Sequence, residues 1–212
     1  MPAIVEPEAS TGVESAQSPF TKISDALREY REACELSDTP PFHELVAALI
    51  DRGYDQDFKN DSFFDALCLT HTMLLTSLTS VKILTGSGGN FWSALDRPFA
   101  AAAENLRKTG GKIQMIVINA TPDCAKALAS MKSRFGEVFE YVLAKSASNI
   151  SHFIVCDSRM IRIEEPHPPI DLDSSADVIK AKVNFRAPLI AKQQEKLFDS
   201  VWGRLQSSEL PA

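Results

Sequence analysis

Residues 149–165, NISHFIVCDSRMIRIEE, constrain the fold more tightly than any other part of this chain. His152 heads a run of four apolar side chains, Phe153, Ile154, Val155 and Cys156, that ends at Asp157. An unbroken apolar run of this length suits a strand buried on both faces. Asp157, Ser158 and Arg159 read as a tight turn. Residues 160–164 then alternate Met160, Ile161, Arg162, Ile163 and Glu164, which predicts a second strand with one polar face.

The rest of the chain falls into segments around this hairpin. Residues 1–19 are rich in Glu, Ser, Ala and Pro and poor in large apolar side chains, so they read as a disordered tail. Helical spacing of apolar residues predicts helices over 21–36, 42–52 and 62–78, with a polar connection over 55–61. Together residues 20–78 form a helical extension whose third helix has two expected settings, against the sheet or against a second subunit. His71 lies in that helix and reads as a packed or capping residue. Residues 81–84 are a short apolar strand leading into Thr85-Gly86-Ser87-Gly88-Gly89-Asn90. A glycine-rich loop between strand and helix can point backbone N–H groups at an anion. This one lacks the GKS or GKT of a nucleotide-binding loop and the GxGxxG of a dinucleotide fold. A helix over 91–108, a strand over 112–118, a helix opened by Thr121-Pro122-Asp123 and a strand over 137–143 follow. After the hairpin come a Pro-rich excursion, a strand over 179–185 and a closing helix over 188–205. The order from residue 81 is β-α-β-α-β-β-β-β-α. It predicts an α/β (α+β) domain over 80–206, with a mixed sheet flanked by helices.

The hairpin resembles the signature strand of the phospholipase D-like superfamily. That signature is His-x-Lys, four mostly apolar residues, Asp, a turn, and a second strand running into Gly-Ser-x-Asn. With Asp157 on the family Asp, His152 falls on the Lys and Ile150 on the catalytic His. The Gly-Ser-x-Asn region becomes roughly Ile163-Glu164-Glu165-Pro166. SVKILTGSGGNFWSAL, residues 80–95, and VNFRAPLIAKQQEKLFDSVW, residues 183–202, are similar to the first strand and loop and to the final strand and helix of such domains. The resemblance implies a single half of a family that assembles two His-Lys-Asp motifs, and so a homodimer. It also implies loss of phosphodiester cleavage by the family route, because isoleucine cannot form a phospho-imidazole.

Candidate site residues follow from this alignment. His152, Ser87, Lys180, Lys182 and Asn184 are expected to line the former cleft and to hold a phosphate-bearing ligand. No catalytic residue is expected; the alternative is a rebuilt site using His152 with Asp157. A shifted alignment, with His152 as the His, Ile154 in the Lys slot and Arg159 in the Asp slot, leaves an imidazole without its lysine. Arg159, Arg162, Lys180 and Lys182 predict a basic stripe, read as solvated unless aromatic residues interleave. Glu164 and Glu165, adjacent on a strand, point to opposite faces. No metal site is expected: Glu165, His167 and Asp171 are the nearest to one, but Pro166, Pro168 and Pro169 hold them extended. No cofactor motif is present.

Net charge is -6, and it is uneven. Residues 1–80 hold 5 Lys+Arg against 14 Asp+Glu, whereas residues 81–212 hold 17 against 14. An acidic front and a mildly basic back suggest two parts with different surfaces, and the overall negative sign argues against non-specific nucleic-acid binding through net charge, though not against a local basic patch. Cys34, Cys68, Cys124 and Cys156 are far apart and read as free thiols in a reducing cytoplasm. No apolar run reaches the roughly 20 residues of a membrane span, and residues 1–17 lack the basic and apolar regions of a secretory signal. Three readings follow: a non-catalytic phospholipase D-like binding module for a protein partner or phosphate-bearing ligand; a phosphodiesterase or nuclease using His152; and a scaffold subunit that docks through residues 20–78.

Overall fold

In a computed structural model the hairpin lies in the middle of a seven-stranded mixed sheet. The structure describes residues 21–37, 39–86, 89–146, 150–167 and 170–208; the expected tail lies outside them. The described residues open with helices α1 (Ile23–Leu36) and α2 (His43–Asp51), strand β1 (Phe58–Asn60) and helix α3 (Phe63–Leu75). Strand β2 (Ser80–Thr85), helices α4 (Gly89–Ala94) and α5 (Asp96–Thr109), strand β3 (Lys112–Ile118), helix α6 (Pro122–Phe135) and strand β4 (Phe139–Ala144) follow. Strands β5 (His152–Cys156), β6 (Met160–Glu164) and β7 (Ala181–Asn184) and helix α7 (Pro188–Ser208) complete the order. Spatial order is β1-β7-β6-β5-β2-β3-β4. Only β2, β3 and β4 run parallel to one another; the other pairings are antiparallel.

Strand β5 buries both faces, as its apolar run requires. Ile154 and Cys156 join the larger core with α1, α3, α5 and α6, while Phe153 and Val155 join a smaller one with Ala191, Phe198 and Trp202 of α7. The hairpin turn places Asp157 and Ser158 at φ of 54° and 53°. Two successive left-handed residues match the twist of an antiparallel pair. Asp157 Oδ1 accepts from the Thr79 N–H at 2.7 Å, the Thr79 hydroxyl at 2.9 Å and the Ser80 N–H at 3.1 Å, and both its oxygens lie 3.1 Å from the Leu78 N–H. The turn is thereby pinned to the start of β2.

Three expectations change. The polar connection over 55–61 contains β1, an edge strand paired with β7; three residues are too few to show a periodicity. The single helix over 91–108 is two helices, because Pro98 has no N–H to continue the ladder across the join at Leu95. The expected boundary near residue 79 falls within continuous packing: Ile23, Tyr30, Leu67 and Met73 share one buried cluster with Ile83, Met115 and Val183. Helix α3 packs on α1, α2 and α5, and Thr70, His71 and Thr72 are buried with its apolar residues. This chain itself therefore covers α3. Backbone carbonyls of Leu172 and Ser174 accept from Ser24 and Ile23, and that of Ala176 from Phe63, so the Pro-rich excursion supplies acceptors for the first turns of α1 and α3. Among the described residues no helix is long and apolar enough to cross a membrane.

Candidate functional site

Where β5 begins and β6 ends, five polar side chains converge on the larger-core face of the sheet. The hairpin register sets His152 opposite Glu164, and Ile154 opposite Arg162. Strand alternation then places His152, Arg162 and Glu164 on one face. Next to β6, β7 contributes only Ala181 and Val183 to that face, and β1 contributes Asn60 beyond it. Arg162 is 2% exposed and Glu164 7%. Charged groups this deep need partners, and they have them. Arg162 Nη1 donates to Glu164 Oε2, and Nε donates to Asn60 Oδ1 at 3.0 Å. Asn60 Nδ2 in turn donates to the Ser62 carbonyl at 3.1 Å.

The other Glu164 oxygen, Oε1, faces two imidazoles. His152 Nδ1 lies 3.3 Å from it, and His167 Nε2 makes a short contact with the same atom. The two rings stand edge to face, 87° apart with centroids at 5.0 Å. Burial alone would raise the Glu164 pKa. The Arg162 charge, followed by hydrogen bonds from His152, His167 and Arg162, outweighs burial and holds the carboxyl far below its usual range. Glu164 is thus held as a buried anion, with one oxygen tied to a guanidinium and the other shared by two histidines. The Nε2 edge of His152 faces Gly86: a Cβ there would come within 3.2 Å of His152 Cε1 and Nε2. Glycine lets the loop backbone approach the ring.

The residues expected to form one cleft lie in two places. Lys182, Asn184 and Ile163 are on the opposite face from His152, in a groove of about 510 Å³ that Lys180 and Ile190 also line. Three lysines there, Lys59, Lys180 and Lys182, meet three carboxylates, Asp57, Asp61 and Glu165, so the groove has no net charge to select anions. Asn184 is engaged already: Nδ2 donates to the Asp55 carbonyl at 2.9 Å and to Asp57 Oδ1 at 2.8 Å, and Oδ1 accepts from the Arg186 N–H at 2.8 Å. Ser87 lies outside the described residues.

The alternative pair of His152 and Asp157 does not meet. They sit at opposite ends of β5, about 16 Å apart at strand rise, and Asp157 is taken up by the amides of residues 78–80. The basic stripe is interrupted too, because Arg162 turns into the core instead of standing beside Lys180 and Lys182. Ile150 packs on the α7-side cluster. Glu164 and Glu165 do face opposite ways. The grouping of Glu165, His167 and Asp171 gives way to His152, Glu164 and His167, whose donor atoms lie within 4.8 Å of one another. Asp171 instead accepts from Ser174 and the Asp173 N–H. Sequence reasoning passed over Glu164 and Asn60. The hairpin symmetry that pairs position 152 with 164 could have exposed the first; no local signal marks the second.

No known protein family matches this chain by its sequence profile, and no curated protein matches it by sequence. Among solved structures it is similar to TrmBL2, described as an archaeal chromatin protein with a novel mode of DNA binding: 15% identity, TM-score 0.50, over 86% of this chain and 64% of that one. This chain therefore spans less than two thirds of the archaeal protein. It is also similar to Nuc from Salmonella typhimurium, a phospholipase D family member, at 15% identity and TM-score 0.48 over 70% of this chain and 93% of that one. NucT from Helicobacter pylori aligns at 13% identity and TM-score 0.47 over 68% of this chain and 94% of that one. These likenesses concern the fold alone. With the strand order and the hairpin described above, they lead to one conclusion: the chain has an α/β fold built on a mixed sheet flanked by helices, of the kind seen in the archaeal protein.

Proposed function

We propose that this chain is a non-catalytic binding module that holds a phosphate-bearing ligand at the His152 end of β5. The observation that carries the reading is the engagement of His152 with Glu164. The family's lysine position holds an imidazole locked to a buried carboxylate, and the nucleophile position holds Ile150. When both ring nitrogens are protonated, Nδ1–H donates to Glu164 and Nε2–H remains for a phosphate oxygen. Arg162 balances the Glu164 charge, so the carboxylate does not repel the ligand outright.

One observation favours a second reading, a phosphodiesterase. A carboxylate on Nδ1 is also the arrangement that leaves Nε2 as a nucleophile or base in a neutral imidazole. Titration calorimetry with inorganic pyrophosphate, beside turnover of bis-p-nitrophenyl phosphate, separates the two. The binding reading expects pyrophosphate affinity to fall about tenfold or more in His152→Ala, equivalent to about 1.4 kcal/mol, with no turnover in either protein. Turnover lost in His152→Ala would establish the enzyme instead. Unchanged pyrophosphate affinity would rule out this site as the phosphate seat.

A third role, docking of a larger assembly through residues 20–78, has exposed Leu36, Phe42 and Leu45 to work with. Because α1, β1 and α3 belong to the shared packing, it is tested by Leu36→Glu and Leu45→Glu rather than by deletion. Loss of a co-purifying partner from a folded protein is the expected result.

A further inference from the structure

We infer that His152, Glu164 and His167 form a site for one divalent transition-metal ion of the zinc type. Two imidazole nitrogens and one carboxylate oxygen, each from a different residue, lie within 4.8 Å of one another. Two come from facing positions of β5 and β6, where the ladder fixes their separation, and the third lies three residues beyond Glu164. Two histidines with one carboxylate match a borderline divalent ion. Magnesium and calcium, which prefer all-oxygen shells, fit this donor set poorly.

The surroundings are those of a ligand set rather than of a surface ion pair. Histidines and carboxylate have side chains only 16%, 10% and 9% exposed. Arg162 fixes Glu164 Oε2 and so orients Oε1, and Asn60 fixes Arg162. Outer partners of this kind set the geometry and basicity of a ligand. An ion among the three donor atoms would replace the N–H bonds that the imidazoles now make to Oε1. Three protein ligands would leave a coordination position open. The Arg162 charge beside the ion would favour an anion there, and Arg162 Nη2 is buried without a hydrogen-bond partner.

This inference does not depend on phosphate binding, and its test contains no phosphate. Tag-free, chelator-stripped protein is titrated with Zn²⁺ and separately with Mg²⁺, and Co²⁺ is added to read the visible ligand-field spectrum. The expected result is one equivalent of Zn²⁺, no comparable Mg²⁺ binding, and a Co²⁺ spectrum of nitrogen and oxygen ligation. Affinity for Zn²⁺ should fall at least about tenfold in His167→Ala and in Glu164→Gln. Should Glu164→Gln fail to fold, as judged by circular dichroism, His167→Ala decides alone. No stoichiometric Zn²⁺ binding, undiminished affinity in folded His167→Ala, or a thiolate charge-transfer band placing the ion on the cysteines would overturn the assignment.

Discussion

Arg162 reaches back 102 residues to Asn60, donating Nε–H to Oδ1 at 3.0 Å, and this bond links the core hairpin to the edge strand β1. Between the two residues lies β7, which presents only Val183 and Ala181 to that face. The guanidinium can therefore lie flat across the neighbouring strand. It neutralises Glu164 on one side and fills the acceptor of Asn60 on the other.

Removing that cation should be costly. Arg162→Met leaves Glu164 buried as an uncompensated anion, and loss of one partner from such a pair typically costs about 3–5 kcal/mol. Adding Glu164→Gln removes the stranded charge, so the double variant should be more stable than Arg162→Met alone. Urea denaturation at neutral pH measures both. A loss under 1 kcal/mol, on the order of an exposed pair, would contradict the buried network.

Asp157 should prove structural rather than catalytic. Asp157→Ala removes the acceptor for the amides of residues 78–80 and puts alanine at a positive φ, a combined cost of about 2–4 kcal/mol. Asp157→Asn keeps one carbonyl oxygen and tolerates the left-handed conformation, so it should lose less than half as much. Melting curves of the two variants provide the check. Ligand or metal affinity at the His152 end should be unchanged in Asp157→Asn.

His71 should make stability fall in mild acid. It is 3% exposed, and burial, with a smaller contribution from the charge of His43, lowers its pKa to about 4. The Tyr30 hydroxyl is hydrogen-bonded to Nδ1 of the ring at 2.7 Å. Between the ordinary value of about 6.5 and pH 4, the unfolded chain takes up a proton that the folded one refuses. Stability is thus full above pH 6.5, declines as pH falls through this window, and levels off below 4. The loss from this residue is at most about 3 kcal/mol. His71→Gln should flatten that part of the curve in denaturation at pH 7, 6, 5 and 4.

Among the described residues, α7 is the helix that packs on the second face of the sheet, and Phe198 and Trp202 stack there with centroids 5.5 Å apart. Phe198→Ala should cost about 3–5 kcal/mol. Hydrogen exchange should show the loss first as opening of α7, with the His152 cluster on the other face still protected.

The hairpin was legible from residues alone. Four apolar side chains between His152 and Asp157 predict a doubly buried strand, and a tight turn centred on residues 157–159 sets position 152 opposite 164. Antiparallel register has no other solution once the turn is placed. The helices were legible for a similar reason: a 3.6-residue apolar period with capping residues is a local property. What the chain alone could not show is which side of the sheet its polar alternation faces. Arg162 read as part of a solvated basic stripe with Arg159, Lys180 and Lys182, because a charge taken singly costs too much to bury. The burial of Arg162 and Glu164 depends on mutual neutralisation and on Asn60, a residue far away in sequence on a strand of three residues. The same period of two put Lys180 and Lys182 on a common face, but only the pairing of β7 with β6 decided that it was not the face of His152. Sequence therefore determined the strands and their local pairing. Tertiary structure decided which charges meet, because the energy that permits their burial comes from partners that only the folded sheet brings together.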